Sequence, residues 1–147
     1  MSLRRWEREH ERGATLVEFA FVLPLFVLLL FAIIDFGWLF TQFLDVKQGA
    51  REGARMAVVN DCDQSSSDDC RDDLIKKVCE RTNDLADPDT KVTLTRDDTQ
   101  QVAKVTVSYP ARSLTGILSV FINGNLTSNV EMRWEQTPLW STGTHPC

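Results

Sequence analysis

Residues 19–34 read FAFVLPLFVLLLFAII, sixteen consecutive positions without a charge. This run constrains the chain more than any other feature. A helix on the surface of a soluble core needs a polar face, and none exists here. Widening the window to 14–34 gives twenty-one positions with one ionisable group, Glu18. As a helix these rise about 31 Å, close to the roughly 30 Å thickness of a bilayer's hydrocarbon core. Trp38 and Phe40 follow, and Trp suits the membrane–water interface. The pattern predicts a transmembrane helix over 14–40, with the lipid bilayer as its first partner.

Flanking charge orients that helix. Arg4, Arg5, Arg8 and Arg12 crowd its N-terminal side, whereas Lys47, Arg51 and Arg55 stand further off on the other. The positive-inside bias places the N-terminus in the cytoplasm and the remainder across the membrane. A removable secretory signal would show a small-residue cleavage site after the apolar core. The chain instead continues IIDFGWLFTQ, so the helix is expected to stay on the protein.

All four cysteines, Cys62, Cys70, Cys79 and Cys147, lie beyond the run. An even number in a small exported domain points to disulfides. In each of the three possible pairings Cys147 joins Cys62, Cys70 or Cys79, so full oxidation staples the C-terminus to the segment after the anchor. The alternative is four free thiols in a reducing compartment.

The net charge is -5, with most of the acidity beyond residue 60. That opposes nucleic acid, which rewards a basic face, and opposes the distal domain lying on an anionic membrane surface.

The anchor's start is unusual. Gly13 ends a charged leader, Glu18 lies five residues later inside apolar sequence, and Pro24 six further on. A carboxylate in lipid costs at least about 2–3 kcal/mol and calls for a cationic partner. The new ammonium of a neighbouring chain cut after Gly13 would serve. Pro24 removes one helical hydrogen bond and can bend the axis. Asp35 closes the apolar run and reads as a hydrated boundary residue.

The string Gly13-ATLV-Glu18-Phe19 resembles the processing site of type IV pilins and their Flp/Tad branch. With VEFAFVLPLFVLLLFAIIDFGWLF and the later GAREGARMAV, the chain resembles the TadE-like minor pilins or pseudopilins of tight-adherence systems over about residues 12–59. The resemblance implies that a membrane aspartyl prepilin peptidase cuts between Gly13 and Ala14. It implies that Glu18, with Phe19 and Pro24, registers subunits during assembly. It also implies other pilin or pseudopilin subunits and an inner-membrane assembly platform as partners. Ala14 departs from the Phe or Met that many type IV pilins carry at the new N-terminus. Without cleavage, the chain would be an uncut anchor with an interfacial Glu.

Beyond the span the helix is expected to run through a stalk, 41–60. Gly49, Gly53 and Ala57 recur every fourth residue, as do Ala50, Ala54 and Val58. Rows of small residues allow close helix packing. Lys47, Arg51 and Arg55 form a third row, read as a solvated face, with acidic groups of the domain or of a neighbour as the alternative.

Residues 61–147 form the distal domain. NDCDQSSSDDC is loop by composition, and its acids do not follow the spacing of a calcium-binding loop. A second helix is expected over about 71–85, carrying Leu74, Ile75, Val78 and Leu85 inward and closing at Asp87-Pro88. Period-two alternation predicts strands at 91–96, 101–109 and 126–135. SLTGILSVFING between the last two is read as a short helix or a flap near the membrane, and TPLWSTGTHPC as irregular. The expected class is α+β, pilin-like: a long N-terminal transmembrane and stalk helix, a short helix and a three-stranded antiparallel sheet.

No Cys/His zinc spacing, phosphate loop or nucleophile elbow occurs. The expectation is no catalytic site, no metal and no cofactor. The leading reading is thus a minor pilin or pseudopilin. A membrane-anchored extracytoplasmic binding or sensing module and an anchored envelope enzyme are the alternatives.

Overall fold

The computed structural model describes residues 3–63, 66–82, 89–117, 119–122 and 124–147, with the side chains of 3–14 left aside. The expected Leu85 and Asp87-Pro88 lie outside the described residues.

Helix α1 runs unbroken from Leu3 to Val58. At 1.5 Å per residue its 56 residues extend about 84 Å. Pro24 is its one internal proline, and the helix continues through it. Loss of the α conformation after Val58 coincides with Asn60, which takes a left-handed φ of 54°.

Helix α2 spans Ser67–Arg81. It starts four residues before the expected 71 because Ser66 caps it, its hydroxyl accepting from the Asp69 N–H at 3.2 Å. Asp68 and Asp69 in the first turn and Arg81 in the last complement the helix dipole. The Thr82 N–H closes the helix on the carbonyls of Val78 and Cys79.

The sheet has four strands, not the three expected: β1 (Lys91–Asp97), β2 (Val102–Pro110), β3 (Asn125–Arg133) and β4 (Gly143–Pro146). Their order is β3-β2-β1-β4 and every pairing is antiparallel. The β1–β2 hairpin turns at Asp97, whose carboxylate accepts from the N–H groups of Thr99 and Gln100. Val92 faces Val107 and Leu94 faces Val105, which fixes the buried face of the register. β4 escaped the sequence reading because GTHP has no alternation and contains two poor strand formers. It survives as an edge, where proline's missing donor costs nothing. Thr93 and Thr144 hydroxyls meet at 2.9 Å across this pair.

One sheet face carries Val92, Leu94, Ala103, Val105, Val107 and Tyr109 into the core. α1 packs over β2 and β3, α2 packs over β1 and β4, and the two helices touch each other. Leu74, Ile75 and Val78 supply α2's share of the core. Trp140, fully buried, donates its indole N–H to the Ala57 carbonyl at 2.9 Å and locks the end of α1 to the tail.

Two disulfides resolve the open pairing: Cys62–Cys70 and Cys79–Cys147. The first closes a loop of sequence separation 8, the second one of 68. On loop-closure entropy the short one contributes about 2.5 kcal/mol and the long one about 4.4 kcal/mol. The long one ties the C-terminus to α2, and the Cys147 N–H to Thr90 O bond at 2.9 Å reinforces it.

Candidate assembly surface

The two ends of α1 have different surroundings. From Thr15 to Leu30 every side chain is exposed, including Glu18, Phe19 and Pro24. This helix is long and apolar enough to cross a membrane, and none of its most apolar window is buried by the rest of the chain. From Gln42 to Ala57 one face is buried: Gln42, Val46, Gly49, Ala50, Gly53, Ala54, Met56 and Ala57. Gly49 sits against the Thr82 methyl, and a Cβ at Gly53 would stand 2.7 Å from Val78 Cγ2 and 3.1 Å from Val105 Cγ1. The small-residue rows, Gly49, Gly53 and Ala57 among them, therefore let α2 and β2 of the same chain approach α1. The basic row points the other way. Arg51 and Arg55 are exposed, and Lys47 lies half-buried with its ammonium 5.9 Å from the Phe43 ring centroid.

Asp35 is not a hydrated boundary residue. It is fully buried (0% exposed) and accepts from Ser113 Oγ at 2.7 Å, the Thr115 N–H at 2.8 Å and Thr115 Oγ1 at 2.7 Å. Two turns on, Gln42 is 3% exposed, donates Nε2 to the Arg112 carbonyl at 2.9 Å and accepts the Arg112 N–H at 3.2 Å. Asp35 and Gln42 thus hold the segment after β2 against α1. The geometry of α1 explains the burial. Seven residues make nearly two whole turns, so positions 35, 42, 49 and 56 fall on one side. Asp35 is the end of the stalk's packing face nearest the bare apolar stretch. That seven-residue spacing was visible in the sequence. What faced it was not.

Residues 13–55 match the family model described as TadE-like protein. The N-terminal segment is TadE-like. The match opens at Gly13, takes in the whole bare stretch and ends inside the packed stalk. The distal domain lies outside the TadE-like match. No curated protein and no solved structure matches the chain.

Gly13 and Ala14 lie within helix α1, their surroundings outside the described residues. The acidic loop after the TadE-like segment is drawn onto a lysine. The Lys77 ammonium lies 3.3 Å from Asp73, 3.4 Å from Asp61 and 3.9 Å from Asp63, and donates to the Asp61 carbonyl at 2.8 Å. Desolvation lowers the Lys77 pKa, but hydrogen bonds to Asp73 and Asp61 outweigh it and leave the pKa raised. Asp68 is held by Arg71 at 3.2 Å and by the Ser141 hydroxyl. These acids thus knit the α1–α2 loop, α2 and the tail together. Among the described residues no cluster of metal-ligating side chains forms.

Proposed function

We propose that the chain is a minor pilin or pseudopilin of a tight-adherence pilus, a structural subunit with no catalytic role. The observation that supports this reading best is the position of the TadE-like match, which opens at Gly13 and runs along a helix that no part of its own chain buries between Thr15 and Leu30. A bare apolar helix fits lipid before assembly and like helices after it. The leader, 1–13, stays in the cytoplasm, the helix crosses the inner membrane, and the disulfide-bonded domain stands outside. A prepilin peptidase removes the leader between Gly13 and Ala14. Glu18 then lies one helical turn above the new Ala14 ammonium. An incoming subunit offers its own ammonium to the Glu18 of a neighbour, which neutralises the carboxylate inside the membrane and sets the axial step. An assembly platform, with its energy supply, moves the subunit out of the bilayer.

Intact mass and N-terminal sequence of the protein extracted from membranes test this. With the peptidase present, residues 1–13 are expected to be absent and Ala14 to be first; Gly13→Val is expected to keep the leader. Glu18→Ala is expected to leave cleavage intact and reduce recovery in sheared pili. A full-length chain, leader attached, in piliated cells would instead support an anchored sensing module.

A further inference from the structure

We infer that the loop 113–122 is a second lipid contact, an apolar wedge that the Asp35 carboxylate holds at the outer face of the bilayer. The inference rests on the reading of α1 as a membrane span. Four observations carry it.

The first is composition. Residues 113–122 read SLTGILSVFI, ten positions without a charge, in a domain otherwise rich in Asp, Lys and Arg. The second is exposure. Beyond residue 44, the large apolar side chains left exposed among the described residues are Val59, Leu114, Ile117, Val120, Phe121 and Leu139. Four of these six belong to this loop, with Val120 75% and Phe121 83% exposed. A contiguous apolar patch of this kind marks a contact surface.

The third is height. Residues 15–34 rise about 30 Å, a full hydrocarbon thickness, so Asp35 marks the outer boundary of a spanning helix. Ser113 and Thr115 are bonded to that same carboxylate, which sets the loop at the same level. Phe121 and Ile122 lie across from Phe36 and Leu39, one and four residues past Asp35, around an apolar cleft of about 530 Å³. The fourth is partial backbone satisfaction within the turn, which lowers the cost of contact with an apolar medium. The Gly116 N–H donates to Ser113 Oγ, the Ile117 N–H to Thr115 Oγ1 and the Ser119 N–H to the Gly116 carbonyl. Gly116 takes the φ of +78° that this turn needs. The Ala111 N–H to Gly124 O bond closes the base.

A second copy of the chain is the competing occupant. The height argument favours lipid, because a patch serving only a neighbour could stand anywhere along the stalk. A wedge at this level restricts the tilt and rotation of the subunit in the membrane before it is extracted.

The test places a benzophenone-bearing phenylalanine singly at Phe26, Phe121 or Leu139 of the full chain in phosphatidylcholine vesicles, with adducts identified by mass after illumination. Position 26 reports the span and position 139 the solvent. Lipid adducts are expected at 26 and at 121, with about tenfold more at 121 than at 139. Lipid adducts at 26 with none at 121, or adducts at 121 to a second copy instead, would overturn the wedge and leave the span standing. No lipid adduct at 26 would remove the membrane reading itself. Asp35→Ala provides the second arm: lipid adduct at 121 is expected to fall towards the level at 139, and unchanged yield would show that Asp35 does not set the loop's height.

Discussion

Helix α1 has one backbone and two environments. Between Thr15 and Leu30 every residue is exposed and, Thr15 and Glu18 apart, the side chains are apolar all round. Between Gln42 and Ala57 its residues are small on one face and charged on the other, and that face is covered completely. The first half takes its stability from backbone hydrogen bonds and from whatever surrounds it. The second, with two glycines that each cost about 1 kcal/mol in an isolated helix, needs the domain to hold it. Side-chain size decides which half can serve the outside world and which serves the fold. The large residues leave surface for partners, and the small ones let the sheet and α2 close in.

That contrast fails or sharpens under substitution, read as urea unfolding of the full chain in mild detergent by near-ultraviolet circular dichroism. The largest effect is expected where the packed half ends. Trp140→Ala removes a fully buried indole and the bond to Ala57 O, and should cost about 3–5 kcal/mol. Gly53→Leu comes next. Its side chain must enter space that Val78 and Val105 already fill. Overpacking of this kind costs about 1–3 kcal/mol, which outweighs the propensity gained on leaving glycine. A stable Gly53→Leu protein would mean that the packed face is looser than its geometry.

Asp35→Ala tests the join between the halves. It strands the donors of Ser113 and Thr115, about 1–3 kcal/mol if water does not replace the carboxylate. Faster hydrogen exchange is expected at the Thr115 amide, with β1 and β2 unchanged. The smallest effect belongs to the bare half. Leu29→Ala should change the domain's unfolding free energy by less than about 0.5 kcal/mol, because no domain residue buries it. A shift comparable to that of Trp140→Ala would show that the domain folds back over the anchor.

Much of the stalk seam and sheet was legible because it is periodic. Val92 and Leu94, then Ala103, Val105, Val107 and Tyr109, alternate as a half-buried sheet requires, and all are buried. β3 alternates as well but lies at the sheet's edge, so Val130 and Met132 are half-buried and Trp134 fills the core just past the strand's end. The start of α2 was displaced because Ser66 sits in a polar stretch where several residues could cap. The oxidised cysteines were foreseeable from composition, and their pairing was not.

The sequence by itself determined the long apolar helix, the glycine–glutamate spacing that opens it, the small-residue face above it and the strands β1 to β3. Each is written in neighbours within a few residues, through side-chain size and period. Only the tertiary structure decided that Cys147 joins Cys79, that Gly143–Pro146 becomes a fourth strand, and that Asp35 is buried under a loop some eighty residues later. Those partners meet because the sheet and two helices bring distant segments together, and no local pattern in the chain records which distant group will satisfy a given donor, acceptor or thiol.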